Sequence, residues 1–317
     1  MKMKGLSVVI PAYNEEEMIS IIANKISRQM AVEKIPFEVI FVSDGSSDGT
    51  WGKIQEESRK SAAVRGLEFS RNFGKDAAIL AGLAQSRMDA VAVMDCDLQH
   101  PVEALPQMYR LWLGGVQVVE GVKRDRGREN VIHRGGARGF YRILSRAMGM
   151  DMENASDFKL LDRKVVEHIL EMPEQHLFFR AISSWTGYST ARVEYQVGER
   201  VRGDSKWRLG ALITYGLRNI VAFTTVPLQF VTVAGVVCLA GSLLLAIYSL
   251  IRYFQGQAVE GYTTLLLVLL VIGSGVMISL GIIGFYIGRI YDEVRRRPRY
   301  LIARMTCESE TVREEET

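Results

Sequence analysis

The sequence predicts an α/β domain with a mostly parallel sheet, followed by interfacial helices and a two-helix transmembrane hairpin. Three observations carry that prediction. Short β-branched runs alternate with helical segments through the N-terminal third, the pattern of strands joined by crossover helices. A polar cluster follows each strand candidate. Two charge-free runs lie near the C-terminus, one between Arg218 and Arg252 and one between Glu260 and Arg289.

Taken in order, "LSVVI" at 6–10 reads as a strand and leads through "PAYNE" into the helical "NEEEMISIIANKISRQM". "FEVIFV" at 37–42 leads through "SDGSSDGT" into "WGKIQEESRK". "GLEFS" precedes "GKDAAILAGLAQSR", and "DAVAVMD" precedes "PVEALPQMYRLW". Ligands of open parallel sheets collect beyond the carboxyl ends of the strands, and the four polar clusters occupy those ends. The stretch at 121–139, "GVKRDRGRENVIHRGGARG", reads as a basic loop, and "GERVRGDSKWRLG" closes the α/β domain over 1–205.

Residues 206–226 mix Trp207, Leu209, Leu212 and Ile213 with Lys206, Arg208 and Arg218, as expected of an amphipathic segment in a membrane interface. Each charge-free run is long enough for a bilayer core of roughly 30 Å. The spans are expected at about 227–251 and 264–288 within a hairpin of 227–289, leaving 290–317 as a cytoplasmic tail that is expected to be disordered after Tyr300. Arginines flank both outer ends of the hairpin, whereas the connecting loop carries one Arg and one Glu. Positive residues stay cytoplasmic, so a multi-pass inner-membrane protein with its α/β domain and both termini in the cytoplasm is expected. Cys96, Cys238 and Cys307 are scattered, which argues against a disulfide framework. Gly284 and Gly288 form a G-x-x-x-G pair that suits packing within the hairpin or between protomers of a homo-oligomer. A net charge of +3 over 317 residues gives no reason to expect a nucleic-acid partner.

The chemistry concentrates in "VMDCDLQHP" at 93–101. Residues two apart on a strand share a face, so Asp95 and Asp97 can converge on one cation where the strand opens to solvent. Like charges this close repel unless a cation bridges them or one takes up a proton. Oxygen ligands suit Mg²⁺ or Mn²⁺ shared with the phosphates of a nucleotide. His100 is expected to pack or to shape the turn, and Asp48 to serve as turn and N-cap chemistry.

With "VIPAYNEEE" at 9–17, "VSDGSSDGT" at 42–50, "SRNFGKDAA" at 70–78 and "DCDLQHP" at 95–101, the chain closely resembles the inverting family 2 glycosyltransferases of GT-A fold. The basic loops and the hairpin make it similar to the polyprenyl-phosphate hexosyltransferases, a group that includes dolichyl-phosphate mannose synthase and bacterial bactoprenol glucosyltransferases. The resemblance implies a nucleotide sugar as donor, polyprenyl (undecaprenyl) phosphate as acceptor and Mg²⁺ or Mn²⁺ as cofactor. It implies that Pro11, Tyr13 and Glu15 line the base and ribose pocket and that Asp44 meets the nucleobase edge. Lys75 and Asp95 join the nucleotide-sugar contacts, and Asp95, Asp97 and Gln99 form the metal shell.

A lipid phosphate is already anionic, so the acceptor side needs positioning and charge stabilisation more than proton abstraction. Arg124 and Arg138 match arginines near the family's acceptor phosphate. Arg202 and Lys206 match the basic loop over the donor diphosphate. Asp157 occupies the place of an acid that orients or deprotonates an acceptor, or that holds an arginine. The segment "QHLFFRAISSW" does not match the Q-x-x-R-W of processive synthases, so a single transfer is expected. The expected donor is UDP-glucose, with GDP-mannose or a modified aminoarabinose donor as alternatives. A non-catalytic membrane regulator on the same fold is the alternative from another class.

Overall fold

A computed structural model describes residues 4–123, 156–174, 179–180, 186–196, 226–255 and 261–306. They fall into two compact units, Met1–Lys206 with Pro298–Thr317, and Trp207–Arg297.

The first unit is a three-layer α/β structure. Its strands are β1 (Leu6–Ala12), β2 (Phe37–Ser43), β3 (Val64–Phe69), β4 (Ala90–Val93), β5 (Val118–Lys123), β6 (Lys159–Asp162), β7 (Thr190–Tyr195) and β8 (Ile302–Met305), joined in the order β7-β5-β6-β4-β1-β2-β3-β8. The four central strands β4, β1, β2 and β3 run parallel, while β6 lies antiparallel to β4 and β5. The mostly parallel sheet read from the sequence is therefore borne out. Central parallel strands are buried on both faces, which makes them read as unbroken apolar runs.

Alternation along β1 shows how the layers form. Leu6, Val8 and Ile10 face a core built with α1 (Glu16–Glu33), α2 (Thr50–Lys60) and α4 (Leu105–Leu113). Val9 faces the opposite core, built with α3 (Lys75–Gln85) and α5 (Arg163–Glu171). In α1 the buried Met18, Ile19, Ile22, Ala23, Ile26 and Met30 recur at helical spacing, so one stripe lies on the sheet. In α3 the close seat on β1 needs Gly82, where a Cβ would stand 2.2 Å from Val9 Cγ1.

The expectation of a tail disordered after Tyr300 is corrected at 302–305 by β8. Antiparallel to β3, it covers that strand's outer edge, which would otherwise present unpaired backbone groups. Ser70 N–H donates to Leu301 O at 3.0 Å, and Gly66 N–H donates to Thr306 Oγ1 at 3.0 Å. Tyr300 stacks on Phe69 with centroids 5.1 Å apart, and Arg304 pairs with Glu68. Four residues of tail-like composition were poor sequence evidence for a strand because its pairing partner lies more than 230 positions away.

The second unit contains α6 (Val226–Phe254) and α7 (Tyr262–Arg295). Both expose large apolar side chains, among them Leu244, Phe254, Leu269 and Val294. Among the described residues, one stretch, Val271–Arg295, is long and apolar enough to cross a membrane, and α6 contributes a shorter apolar stretch, Val233–Leu245. The interfacial segment expected at 206–226 lies outside the described residues, except for Val226 at the start of α6.

Replacing Tyr300 by Ala removes the ring that seals β8 against Phe69. We expect the α/β unit to lose about 2 kcal/mol, the cost of deleting a partly buried aromatic, read as a lower midpoint in tryptophan-monitored denaturation of the full chain. An unchanged midpoint would mean that β8 contributes nothing to the unit's stability.

Candidate active site

The carboxyl ends of β1 to β4 come together as a set of mutually hydrogen-bonded loops. After β1, Asn14 takes a left-handed conformation, φ 56°, and its Oδ1 accepts from Ser47 N–H at 2.8 Å. Asp48 accepts from Thr50 N–H at 3.0 Å and from Glu16 N–H at 3.3 Å. Burial opposes charge on Asp48, but the Thr50 hydroxyl, which also donates to it, and these amides outweigh it and hold the carboxyl below its ordinary value. Glu16 returns the contact by accepting from Gly49 N–H at 3.1 Å. Asp48 is thus turn and cap chemistry, as read from the sequence.

Asp44 is buried, and its two oxygens accept from Phe73 N–H at 2.7 Å and Gly74 N–H at 2.9 Å. Burial pushes its carboxyl up, with the two amides and Arg71 acting against that rise. The next residue, Gly45, has φ 64°, and a Cβ there would stand 2.3 Å from the Arg71 backbone. Asp44 therefore ties the loop after β3 to the end of β2. Tyr13 is half exposed, Pro11 partly buried and Glu15 partly exposed on the neighbouring loop.

The two aspartates beyond β4 are held by a turn of unusual shape. Leu98 adopts φ 57°, a region costing a branched residue roughly 1–2 kcal/mol. Around it, Asp97 Oδ1 accepts from Gln99 N–H at 3.0 Å, and His100 Nδ1 accepts from Asp95 N–H at 3.1 Å. His100 is buried, stacks on Phe158 at 4.9 Å and meets Tyr195 edge-on. Burial lowers its pKa, so the ring is neutral, with its second nitrogen protonated. His100 is a fastening of the turn, in line with its sequence reading. Asp95 and Asp97 both remain partly exposed.

Beside them lies a cluster of alternating charge. Lys75, at the start of α3, approaches Asp95 Oδ1 at 2.5 Å and Asp157 Oδ2 at 2.6 Å. Arg180 grips Asp157 with two parallel bonds, Nε to Oδ1 at 2.8 Å and Nη2 to Oδ2 at 2.9 Å. Burial opposes charge on both Lys75 and Asp157. The paired groups outweigh it, holding the lysine above and the aspartate far below their ordinary ranges. Asp76 accepts from Phe179 N–H at 3.1 Å; burial pushes its carboxyl up to about 6, against that amide and with help from the charge of Asp157.

The structure brings together Asp95, Asp97, Lys75 and Asp157 from the sequence-derived set. Gln99 lies on the same turn. Arg124, Arg138, Arg202 and Lys206 lie outside the described residues. Sequence reasoning missed Arg180, which it weighed only against the Q-x-x-R-W pattern. Its one signal was a lone cation in the apolar "LFFRAI". Among the described residues no group of three His, Cys, Asp or Glu side chains could enclose a metal ion, so an ion here would draw its remaining ligands from elsewhere.

The raised Asp76 fixes the sign of a pH effect. A carboxyl whose folded pKa lies above its ordinary 3.8 stabilises the fold fully below that value and loses the contribution as pH rises through about 6. Asp76→Asn keeps an acceptor for Phe179 N–H without the charge. We expect it to raise stability at pH 7.5 by on the order of 2 kcal/mol and to flatten the stability profile between pH 4 and 6. An equal slope in both proteins would show that Asp76 does not titrate in that window.

The family model described as Glycosyl transferase family 2 matches residues 7–170. The prophage bactoprenol glucosyl transferase homolog of Escherichia coli (strain K12) is 36% identical over 302 residues, covering 95% of this chain and 99% of the relative. The bactoprenol glucosyl transferase of Shigella phage SfII is 37% identical over 299 residues, covering 94% and 97%. Among solved structures, glucosyl-3-phosphoglycerate synthase from Mycobacterium tuberculosis, in complex with Mn²⁺, UDP-glucose and phosphoglyceric acid, superposes with a TM-score of 0.51 at 21% identity, over 68% of this chain and 77% of that one. That likeness concerns the fold, which is of GT-A type. Family model and near-full-length relatives agree: the chain belongs to glycosyl transferase family 2 and is a glycosyltransferase.

Proposed function

We propose that the protein transfers a hexose, glucose from UDP-glucose, to undecaprenyl or another polyprenyl phosphate at the cytoplasmic face of a membrane, with inversion at the anomeric carbon. The observation that carries this reading is the pair of partly exposed carboxylates, Asp95 and Asp97, at the carboxyl end of β4 beside the Lys75–Asp157–Arg180 cluster. Relatives named bactoprenol glucosyl transferase that match almost the whole chain support the lipid acceptor and the sugar.

The carboxylates suit Mg²⁺ or Mn²⁺. Both offer hard oxygen donors just beyond one strand end, on the turn that contains the left-handed Leu98, and both are partly exposed. Asp95, Asp97 and Gln99 are the residues that would hold the ion, which would supply positive charge against a leaving diphosphate. Pro11, Tyr13, Glu15 and Asp44 are assigned to base and ribose, and Arg202 and Lys206 to the donor diphosphate. Arg124 and Arg138 are assigned to the acceptor phosphate. The apolar α6 and α7 are assigned to a membrane hairpin, with the flanking arginines on the cytoplasmic side.

The surroundings of Asp157 support one displacement over two. Its oxygens accept three charge-assisted bonds from Arg180 and Lys75, and these cations hold it far below the ordinary carboxylate range. Such a group is a poor base and a poor nucleophile. The lipid phosphate brings its own negative charge, so direct in-line attack needs neither.

Full chain in detergent, given radiolabelled UDP-glucose and undecaprenyl phosphate, is expected to form a glucolipid. GDP-mannose serves as the competing donor, and its preferential use would replace the donor named here. Asp97→Ala should lower transfer by about a hundredfold or more with the chain still folded, and EDTA should abolish it. Full activity in EDTA would remove the metal from the mechanism.

From an α-linked donor the product should be a β-linked polyprenyl phosphate sugar, read by NMR of the purified glycolipid. An α-phosphate linkage would overturn the single displacement.

A further inference from the structure

Lys159 opens β6 with none of its side chain exposed. Its ammonium donates to Glu120 Oε1, on the adjacent β5, at 2.7 Å and to the carbonyl oxygen of Arg180 at 3.0 Å. A buried ion pair of this kind gives a fold little stability over well-packed apolar side chains of the same volume. A methionine could fill the space of Lys159, but it could not donate a hydrogen bond to the Arg180 carbonyl.

From that carbonyl a chain of contacts leads to the reaction site. The Arg180 guanidinium grips Asp157, Asp157 takes Lys75 at 2.6 Å, and Lys75 meets Asp95 at 2.5 Å. Each link alternates in sign, so each group fixes the next by charge as well as by geometry.

We propose that Lys159 and Glu120 are positioning residues of the transferase: out of reach of any substrate, they seat Arg180, and through it Asp157 and Lys75, against Asp95. The inference rests on the reading that the Asp95 site performs the transfer, but its central claim concerns the protein alone.

Two measurements on the full chain test it. Lys159→Met alone leaves the buried Glu120 carboxylate without its ammonium, so Lys159→Met with Glu120→Gln is the principal variant. Hydrogen exchange in the absence of substrate should rise about tenfold or more at the Phe179 and Arg180 amides, while β1 and β4 keep their protection. Unchanged exchange at 179–180 would overturn the proposal. So would an equal rise throughout the sheet, since the pair would then serve only general stability.

The second measurement is a double-mutant cycle on glucose transfer from UDP-glucose to undecaprenyl phosphate. Lys159→Met with Glu120→Gln should lower kcat about tenfold in the wild-type background and less than about twofold once Arg180→Gln is present. A full, additive loss in both backgrounds would overturn the proposal. If the wild type transfers no sugar, the proposed function fails by itself, and the exchange measurement still decides this inference.

Discussion

Asp157 stands between two cations, and the geometry of the site depends on that arrangement. A lone carboxylate with 6% of its side chain exposed would be driven towards protonation. Arg180 and Lys75 reverse the tendency. In doing so they bring together parts of the chain far apart in sequence: the start of α3, the segment before β6 and the segment around 180. Asp95 joins the same set through Lys75. The resulting cluster holds two partly exposed cations, Lys75 and Arg180, with Lys75 beside the partly exposed Asp95. A glycosyltransferase gains from charge fixed in advance of binding, because reorientation during the reaction would cost barrier height.

Much of this could be read from the sequence, and the reasons are local. Each central strand is a short apolar run ending in residues suited to tight turns, so its carboxyl end was visible without a partner. Asp48 and His100 were read for the roles they occupy because turn chemistry is encoded within a few positions. Arg180 and Lys159 were a different matter. A cation in an apolar stretch is usually a surface charge with a buried stem, and only the three-dimensional neighbourhood of Asp157 and Glu120 shows that these two point inwards. The strand at 302–305 was missed for the same reason: its signal is its pairing with β3.

The loops around the site combine strain with restraint. Asn14 and Leu98 both adopt left-handed conformations, and each is bracketed by side chains that hold neighbouring backbone, Asn14 itself against Ser47 and His100 against Asp95. Without those brackets both loops would be expected to relax to commoner turns. The aromatic stack of His100 on Phe158 carries the same restraint across to the residue beside Asp157. The turn bearing the carboxylates and the segment bearing their counter-charges are thus set by one another.

The strand that closes the sheet, β8, is made after both apolar helices. During synthesis, the rest of the α/β unit emerges first and must wait with the edge of β3 uncovered until both apolar helices have left the ribosome. An exposed edge recruits other strands, so this interval is the one in which a nascent chain is most open to mispairing or to chaperone capture. The order of the elements makes maturation of the catalytic unit contingent on what happens to the helices between its two parts. A chain stalled within α7 would retain every residue of the carboxylate cluster and still lack the strand that finishes the sheet.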